Sequence, residues 1–243
     1  MPQTLDTACL DVIIDLSTTP SRISIVTNAI EAPRLRDTEL AGLDSEWAVI
    51  PWWASRDDQL PRGAGVGSDR PLSGSAPLAD DLSALRRPLT GLQRHLLHEV
   101  CRDSAVAATA AAQSLTPVMT EYQAAAVLAK ELLTRELDPI VLMVGGQARL
   151  QAHRHPLPTS KPLGRRAMLV ACGRRHGLVS SITRIVSFDP LTSAEEDAYR
   201  RLLHVEETFL DVSVVGASIG AAFTAGITAY AAQGFDPAEW HRH

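Results

Sequence analysis

Aromatic residues are scarce in this sequence, and an excess of positive charge is missing. Phe, Trp and Tyr make up 5% of the 243 residues, and the net charge is −5 at pH 7. Since a nucleic-acid-binding domain normally carries a basic surface, this charge argues against a nucleic-acid partner. No run approaches the roughly 18 apolar residues that suggest a transmembrane helix, and Asp6 and Asp11 lie where a signal peptide would be basic and then apolar. We therefore expect a soluble cytoplasmic protein without a membrane partner.

Cysteines are equally few. Cys9, Cys101 and Cys172 are widely spaced and odd in number, and no CxxC or Cys/His ligand spacing is present. The pattern favours a reducing compartment, with each cysteine acting as a small buried apolar residue. Because 45% of the residues are hydrophobic, the chain is expected to form a globular core.

The first third of the chain has the pattern of a short α/β domain. Short apolar segments predict three strands, and IEAPRLRDTELAGL predicts a helix over Ile30–Leu43. The predicted strands are Leu10–Leu16, Ile23–Val26 and Trp47–Trp52. The stretch from about residue 55 to 81 is rich in Gly, Pro, Ser and Asp and predicts a linker. We assign residues 1–88 to this domain and its linker, and residues 89–243 to a second domain.

The second domain is predicted to hold four helices. Thr120 is a natural N-cap, residues 192–196 contain two overlapping capping boxes, and Gly234 is a suitable C-terminal cap. The predicted helices are Leu89–Leu115, Thr120–Leu137, a helix from Thr192 or Ser193 to about Leu210, and Ser218–Gln233.

Between these helices the sequence predicts a strand over Ile140–Val144 and then a β-hairpin. The apolar run Ala167–Cys172 is the first hairpin strand, residues 173–177 form a basic turn, and Leu178–Phe188 returns. Such apolar and β-branched side chains pack well on a half-buried sheet. The hairpin is the most informative stretch of the chain.

Residues 177–184, GLVSSITR, resemble the Gly-Tyr-x-Ser-Asp-x-Thr-Arg signature of the aminopeptidase P, creatinase and methionine aminopeptidase family, the pita-bread metallopeptidases. Leu115–Glu121 (LTPVMTE) and Ala217–Phe235 resemble two helical segments of the same family. The resemblance implies an α+β fold, with a creatinase-like N-terminal domain before the first half of a pita-bread domain. In that domain helices pack on a curved antiparallel sheet.

The family binds two metal ions with two Asp, one His and two Glu residues. Alignment through Gly173 places Ala171 and Ser181 at the two Asp positions. A methyl group has no donor atom, and a neutral hydroxyl is a weak ligand for a hard cation. We therefore expect no metal and no other cofactor.

The resemblance also implies a substrate-binding histidine before the hairpin, and His155 matches that position best. It is the candidate acid/base or substrate-binding residue, and His153, Arg184 and His243 are weaker candidates for substrate binding. The alternatives are a loop histidine hydrogen-bonded to the backbone and, for Arg184, a structural ion pair.

Two functions remain open. The first is a metal-independent, creatinase-like hydrolase or lyase acting on a small amide, amino-acid or peptide-like molecule. The second is a catalytically inactive paralogue that pairs with itself or with a full-length relative. A homodimer is expected, because uncovered sheet edges and apolar faces usually find a partner. An Xaa-Pro-type metalloaminopeptidase would require ligands that the sequence lacks.

Overall fold

A computed structural model describes residues 9–236 and 238–242 of the chain. It divides into two compact units, one ending at Arg94 and the other beginning at His95. The division falls shortly after the boundary that we assigned from the sequence. Each unit is described by itself.

The first unit contains a three-stranded sheet in the order β1-β2-β3. β1 and β2 pair antiparallel, and β2 and β3 pair parallel. The connection from β2 to β3 contains the helix α1, and Ile25 and Leu35 are buried in this unit. The elements are β1 (Leu10–Asp15), β2 (Arg22–Asn28), α1 (Ala32–Asp37) and β3 (Glu46–Ile50).

Helix α1 has only six residues, whereas the sequence predicted a helix over Ile30–Leu43. The backbone leaves helical geometry at Thr38, with φ −124° and ψ −85°. The Thr38 hydroxyl donates to the Arg34 carbonyl at 2.6 Å. A threonine that bonds to nearby backbone favours a helix end or a turn over continuation of the helix.

The predicted linker contains regular structure. A 3-10 turn at Arg56–Gln59 precedes two short paired strands, β4 (Gly67–Ser68) and β5 (Ala76–Pro77). The helix α2, Ala79–Arg86, follows, and the sequence did not predict it. No side chain caps its N-terminus, which removes the signal by which a short helix is usually recognised.

The second unit holds an antiparallel sheet in the order β6-β7-β8. Helix α3 (Gly91–Ser114) begins just before the unit boundary, and α4 and a short α5 complete the packing around this sheet. The remaining bounds are α4 (Glu121–Leu133), β6 (Asp138–Gly146), α5 (Gln147–Leu150), β7 (Arg166–Arg175), β8 (Leu178–Ser187), α6 (Ser193–Val212), α7 (Ile219–Ala232) and a 3-10 turn at Glu239–Arg242.

One face of the β6–β8 sheet packs on the helices. Leu169 and Ala171 of β7 are buried there with Val100 of α3 and Leu128 of α4. A Cβ atom on Gly173 would lie 2.9 Å from the Ser104 hydroxyl oxygen, so α3 approaches β7 closely at this glycine. We call this side the helix-facing side.

The turn between β7 and β8 is tighter than the sequence predicted. It consists of His176 and Gly177, with φ angles of 55° and 73°. Two consecutive positive φ values are typical of a type I′ turn, whose twist matches that of paired strands. β7 therefore continues through Arg175, and the pairing extends from Arg166↔Ser187 to Arg175↔Leu178.

Helices α6 and α7 pack against each other. Of their residues only Val205 and Gly226 are buried, and Gly226 faces the ring of Phe209. Several large apolar residues of the pair and its connection stay exposed, namely Tyr199, Leu202, Leu203, Leu210, Val214, Val215, Ile219 and Phe223. Across the residues that the structure describes, no helix is both long and apolar enough to cross a membrane.

Candidate functional site on the open face of the β6–β8 sheet

The side of the β6–β8 sheet opposite the helix-facing side is partly or fully exposed. We call it the open face. Cross-strand register places the following side chains on it: Val141, Met143, Met168, Val170, Cys172, Val179, Ser181, Thr183 and Ile185. At its centre the Cys172 thiol lies 3.1 Å from the Ser181 hydroxyl. The polar groups in the middle of this surface are therefore a thiol and hydroxyls.

The two positions assigned to metal ligands lie on opposite sides of the sheet. Ala171 pairs with Ile182 and is 1% exposed on the helix-facing side, whereas Ser181 is exposed on the open face. Ser181 pairs with Cys172, which follows Ala171 on β7. Because successive residues of a strand point to opposite faces, Ala171 and Ser181 cannot bind the same ion. This corrects the alignment through Gly173. The residues of β7 that share a face with Ser181 are Val170 and Cys172.

The donor atoms of the open face do not fit a two-metal site. Asp138 is the sole carboxylate in the three strands, and it pairs with Arg174 at 3.1 Å where β6 begins. Within residues 9–236 and 238–242, no three His, Cys, Asp or Glu side chains form a group that could hold a metal ion. A pair of hard cations requires bridging carboxylates, and one thiol beside two hydroxyls does not supply them.

His155 lies on an exposed loop beside β6. The Val144 N–H donates to the Pro156 carbonyl at 3.1 Å, and Pro156 is buried against Gly145. The His155 side chain itself is exposed, and no hydrogen bond or ion pair joins it to another described residue. It is therefore not the backbone-bonded loop histidine that the sequence left as an alternative. His153 is exposed on the same loop.

Glu121, at the first residue of α4, fastens this loop to the sheet. Its fully buried carboxylate accepts from the Gly146 N–H at 2.8 Å, from the Thr159 N–H at 2.9 Å and from the Thr159 hydroxyl at 2.6 Å. It also pairs with Arg149. Burial raises the pKa of Glu121, but these hydrogen bonds and Arg149 outweigh burial and hold the pKa below its usual value.

No local feature of the sequence predicts this role of Glu121. In the sequence Glu121 stands out only as the last residue of the segment Leu115–Glu121, which resembles the family. Its partners lie 25 and 38 residues further along the chain, and such spacing carries no local pattern.

Arg184 lies on the helix-facing side, away from Ser181. Its Nε–H donates to the Thr109 hydroxyl at 3.4 Å, and its Nη1 donates to the Thr183 carbonyl at 2.9 Å. Within the described part of the chain no carboxylate pairs with it, so the predicted structural ion pair is not found. No described contact joins Arg184 to His155. The third candidate, His243, lies outside the described residues.

Two shallow cavities lie away from His155. One, of about 520 Å³, is lined by loop residues between Ser68 and Ala79 of the first unit. The other, of about 410 Å³, lies between α3 and β8 and includes Arg184. The loop of His155 lines neither.

Comparisons with known proteins agree with the hairpin signature. Residues 95–242 match the metallopeptidase family M24. No curated protein matches the sequence significantly.

Solved structures of low identity share the fold. Dipeptidase PepE from Mycobacterium ulcerans is 16% identical with a TM-score of 0.69, and the match covers 95% of this chain and 67% of that protein. A prolidase from Pyrococcus furiosus is 13% identical with a TM-score of 0.72, over 88% and 67% of the two chains. The X-Pro aminopeptidase from Thermotoga maritima is 14% identical with a TM-score of 0.70, over 88% and 66%.

This chain thus spans about two thirds of the length of these relatives, and it has the α+β architecture of an incomplete pita-bread domain. The family match covers more than half of the sequence. On this evidence the chain belongs to metallopeptidase family M24, the pita-bread family that its hairpin resembles.

Proposed function

We propose that this chain is a member of family M24 that does not carry out two-metal hydrolysis and acts instead through binding, as a structural or interaction protein. One observation carries the proposal, namely the open face, where the family's chemistry requires carboxylates and this chain presents Cys172, Ser181 and Thr183. Two-metal hydrolysis depends on ions that polarise the carbonyl and generate hydroxide. A surface without anionic ligands does not support that step.

The exposed apolar residues of α6 and α7 support the binding role. Leu210 is 68% exposed and Ile219 is 89% exposed, and both belong to a pair of helices that packs mainly on itself. Large exposed apolar patches mark interaction sites, and we infer that the exposed residues of α6, α7 and their connection form one. We infer a homodimer, or pairing with a longer relative, through this surface.

Light scattering on the purified chain tests the interaction. We expect a dimer at micromolar concentration, and a monomer for Leu210→Glu combined with Ile219→Glu. Leu85→Glu is the matched control, since Leu85 is 75% exposed on α2 and should leave the dimer intact. A wild-type monomer, or a dimer that all three proteins retain, would rule out this surface as the interface.

A second candidate function is the metal-independent hydrolase or lyase acting on a small amide, amino-acid or peptide-like molecule. It is favoured by the free His155 imidazole on a loop that Glu121 and Pro156 anchor. A histidine without a hydrogen-bond partner keeps both ring nitrogens available to exchange a proton with a substrate. His153, exposed on the same loop, remains its proposed substrate-binding residue, whereas Arg184 lies on the helix-facing side and is not part of this candidate site. The similarity to a dipeptidase and a prolidase supports trying dipeptides first.

The enzyme candidate is tested with a panel of dipeptides, Xaa-Pro dipeptides and small amides, assayed in EDTA. We expect turnover to be lost in His155→Ala and kept in His204→Ala, because His204 is exposed on α6, far along the chain. Equal turnover in both variants would exclude His155 as the catalytic residue.

We also propose a cytoplasmic location, in keeping with the three free thiols of Cys9, Cys101 and Cys172.

A further inference from the structure

We propose that the groove between α3 and β8 binds a small aliphatic carboxylate, with Arg184 as the group that holds the anion. The inference does not rest on either proposed function, since it concerns the helix-facing side of β8 rather than the open face or the loop of His155. It starts from the unusual position of the Arg184 charge.

Arg184 differs from the other arginines of its hairpin. Arg166 pairs with Glu195 at 2.9 Å, Arg174 with Asp138 at 3.1 Å and Arg175 with Asp103 at 2.8 Å. Arg184 is only partly exposed, and within residues 9–236 and 238–242 it has no carboxylate partner. Arg184 is therefore the one arginine of the β7–β8 hairpin whose charge no carboxylate among the described residues balances.

The hydrogen bonds of Arg184 fix the orientation of its guanidinium group but do not use all of its N–H donors. Nε donates to Thr109 of α3 and Nη1 to the carbonyl of Thr183, and no described acceptor takes a hydrogen from Nη2. Five N–H groups in a fixed plane match the two oxygens of a carboxylate. The neutral acceptors at 3.4 and 2.9 Å therefore position the fork without satisfying its charge.

The residues that line the groove indicate what the part of the ligand beyond its carboxylate should be. Around Arg184 the groove combines a few hydrogen-bonding groups with an apolar wall. The polar residues are Thr109, Gln113 and Ser187, and the apolar residues include Leu115, Val186 and Phe188. The groove has a volume of about 410 Å³ and is largely open to solvent, so it suits a small ligand held by few contacts. An apolar wall beside one cation suits a short hydrocarbon that ends in an anion.

The charge count favours a carboxylate over a phosphate. Arg184 is the single cation among the nine lining residues, and the lining contains no acid. A phosphate near pH 7 carries close to two negative charges and is usually met by more than one cation or by several backbone N–H groups. A carboxylate carries one charge, which one guanidinium balances.

Titration of the full chain with butyrate, followed by NMR or calorimetry, tests the proposal. We expect saturable binding of butyrate, at least about tenfold weaker binding of its uncharged analogue butyramide, and weaker binding of inorganic phosphate. Binding of phosphate that is as tight as that of butyrate would overturn the assignment to a carboxylate. Absence of saturable butyrate binding would overturn the site itself.

Two arginine variants locate the binding. Arg184→Gln should weaken butyrate binding by about tenfold or more, because it removes a charge-assisted hydrogen bond. Arg102→Gln removes the same charge from an exposed position on α3 and should leave binding unchanged. Equal affinity in the two variants would overturn the proposal.

Two further measurements distinguish a loss of butyrate binding from a loss of folding. A thermal melt shows whether Arg184→Gln is folded, and Arg184→Lys keeps the charge but loses the fork. We expect Arg184→Lys to bind butyrate more tightly than Arg184→Gln and less tightly than the wild type. If both variants bind butyrate as tightly as the wild type does, Arg184 is not the residue that binds the carboxylate. Because binding is measured directly, failure of either proposed function does not affect the outcome.

Discussion

The thiol of Cys172 and the hydroxyl of Ser181 face each other across β7 and β8, with Sγ and Oγ 3.1 Å apart on the open face. Ala171, one residue earlier, points to the opposite side and is buried against the helices. This pairing determines which residues share a surface with Ser181. A neutral pair of side chains therefore lies at the centre of the open face.

Double variants that introduce two aspartates test which residue of β7 lies on the same face as Ser181. Cys172→Asp with Ser181→Asp places two like charges directly across the strands, which should lower the free energy of unfolding by about 0.2–1 kcal/mol. Millimolar Mn²⁺ should restore part of the loss, because the cation binds between them. Thermal melts with and without Mn²⁺ measure both effects.

The matched control is Ala171→Asp with Ser181→Asp. Here one carboxylate would be buried without a partner on the helix-facing side, at a cost of about 3 kcal/mol or more, and Mn²⁺ should not compensate. A Mn²⁺ response in the control rather than in the Cys172 variant would contradict the assignment of faces.

Removal of the Glu121 charge should destabilise the second unit strongly. Glu121→Gln keeps the shape of the side chain but leaves Arg149, whose side chain is 13% exposed, without its carboxylate. Breaking a buried ion pair from one side typically costs about 3–5 kcal/mol. Urea unfolding of the variant measures the loss.

Glu131→Gln is the control for Glu121→Gln. It breaks the pair with Arg135, in which both side chains are more exposed, and should cost less than about 1 kcal/mol. Similar losses in the two variants would show that Glu121 is not the anchor of the loop that carries His155.

Gly173 should tolerate no side chain. In Gly173→Ala the new Cβ would lie 2.9 Å from the Ser104 hydroxyl oxygen, so α3 and β7 must move apart, and overpacking of this kind costs about 1–3 kcal/mol. Thermal or urea unfolding measures the effect. Gly220→Ala on exposed α7 meets nothing closer than 3.6 Å and should be neutral or stabilising by up to about 1 kcal/mol. A neutral Gly173→Ala would contradict the close packing of the helix on the sheet.

Acid should weaken the start of α6 through Glu195. The Thr192 N–H, the Arg166 guanidinium and the Thr192 hydroxyl lower the pKa of Glu195 from 4.5 to about 2. Because the folded state holds this pKa below the unfolded value, the stabilisation is complete above about pH 4.5 and is lost as the pH falls toward 2. Between these values the unfolding free energy should fall less steeply in Glu195→Gln than in the wild type.

Glu196→Gln is the matched control for the acid experiment. Glu196 is the adjacent carboxylate, is exposed, and takes part in no described side-chain hydrogen bond. It should keep the wild-type pH dependence. A wild-type slope in Glu195→Gln would refute the assigned cause.

Local sequence signals predicted the four long helices, α3, α4, α6 and α7, but not the short helices α2 and α5. The N-caps at Thr120 and Thr192 are present with complete capping boxes, and the Thr192–Glu195 box is the one that forms. Caps are local, so they can be recognised without the tertiary structure. The hairpin signature is also a local pattern of consecutive residues, so the fold class could be predicted from it.

The face of each residue of β7 could not be predicted in the same way. Ala167–Cys172 is apolar on both faces, so the strand lacks the alternation that assigns residues to a side. In β8 the exposure alternates in the structure and Ser181 is on the exposed side, but both faces mix apolar and polar residues, so the sequence of this strand does not assign the faces either. The unpaired charge of Arg184 and the partners of Glu121 depend on contacts between distant segments, which no local pattern encodes.

Metal content is the most direct test of the claim that this chain lacks the two-metal chemistry of its family. The full chain is incubated with excess Mn²⁺, Co²⁺ or Zn²⁺, desalted and measured by inductively coupled plasma mass spectrometry. Since the open face offers Cys172, Ser181 and Thr183 in place of carboxylates, we expect far less than one ion per chain. One or two ions per chain that survive desalting and are removed by EDTA would contradict the claim.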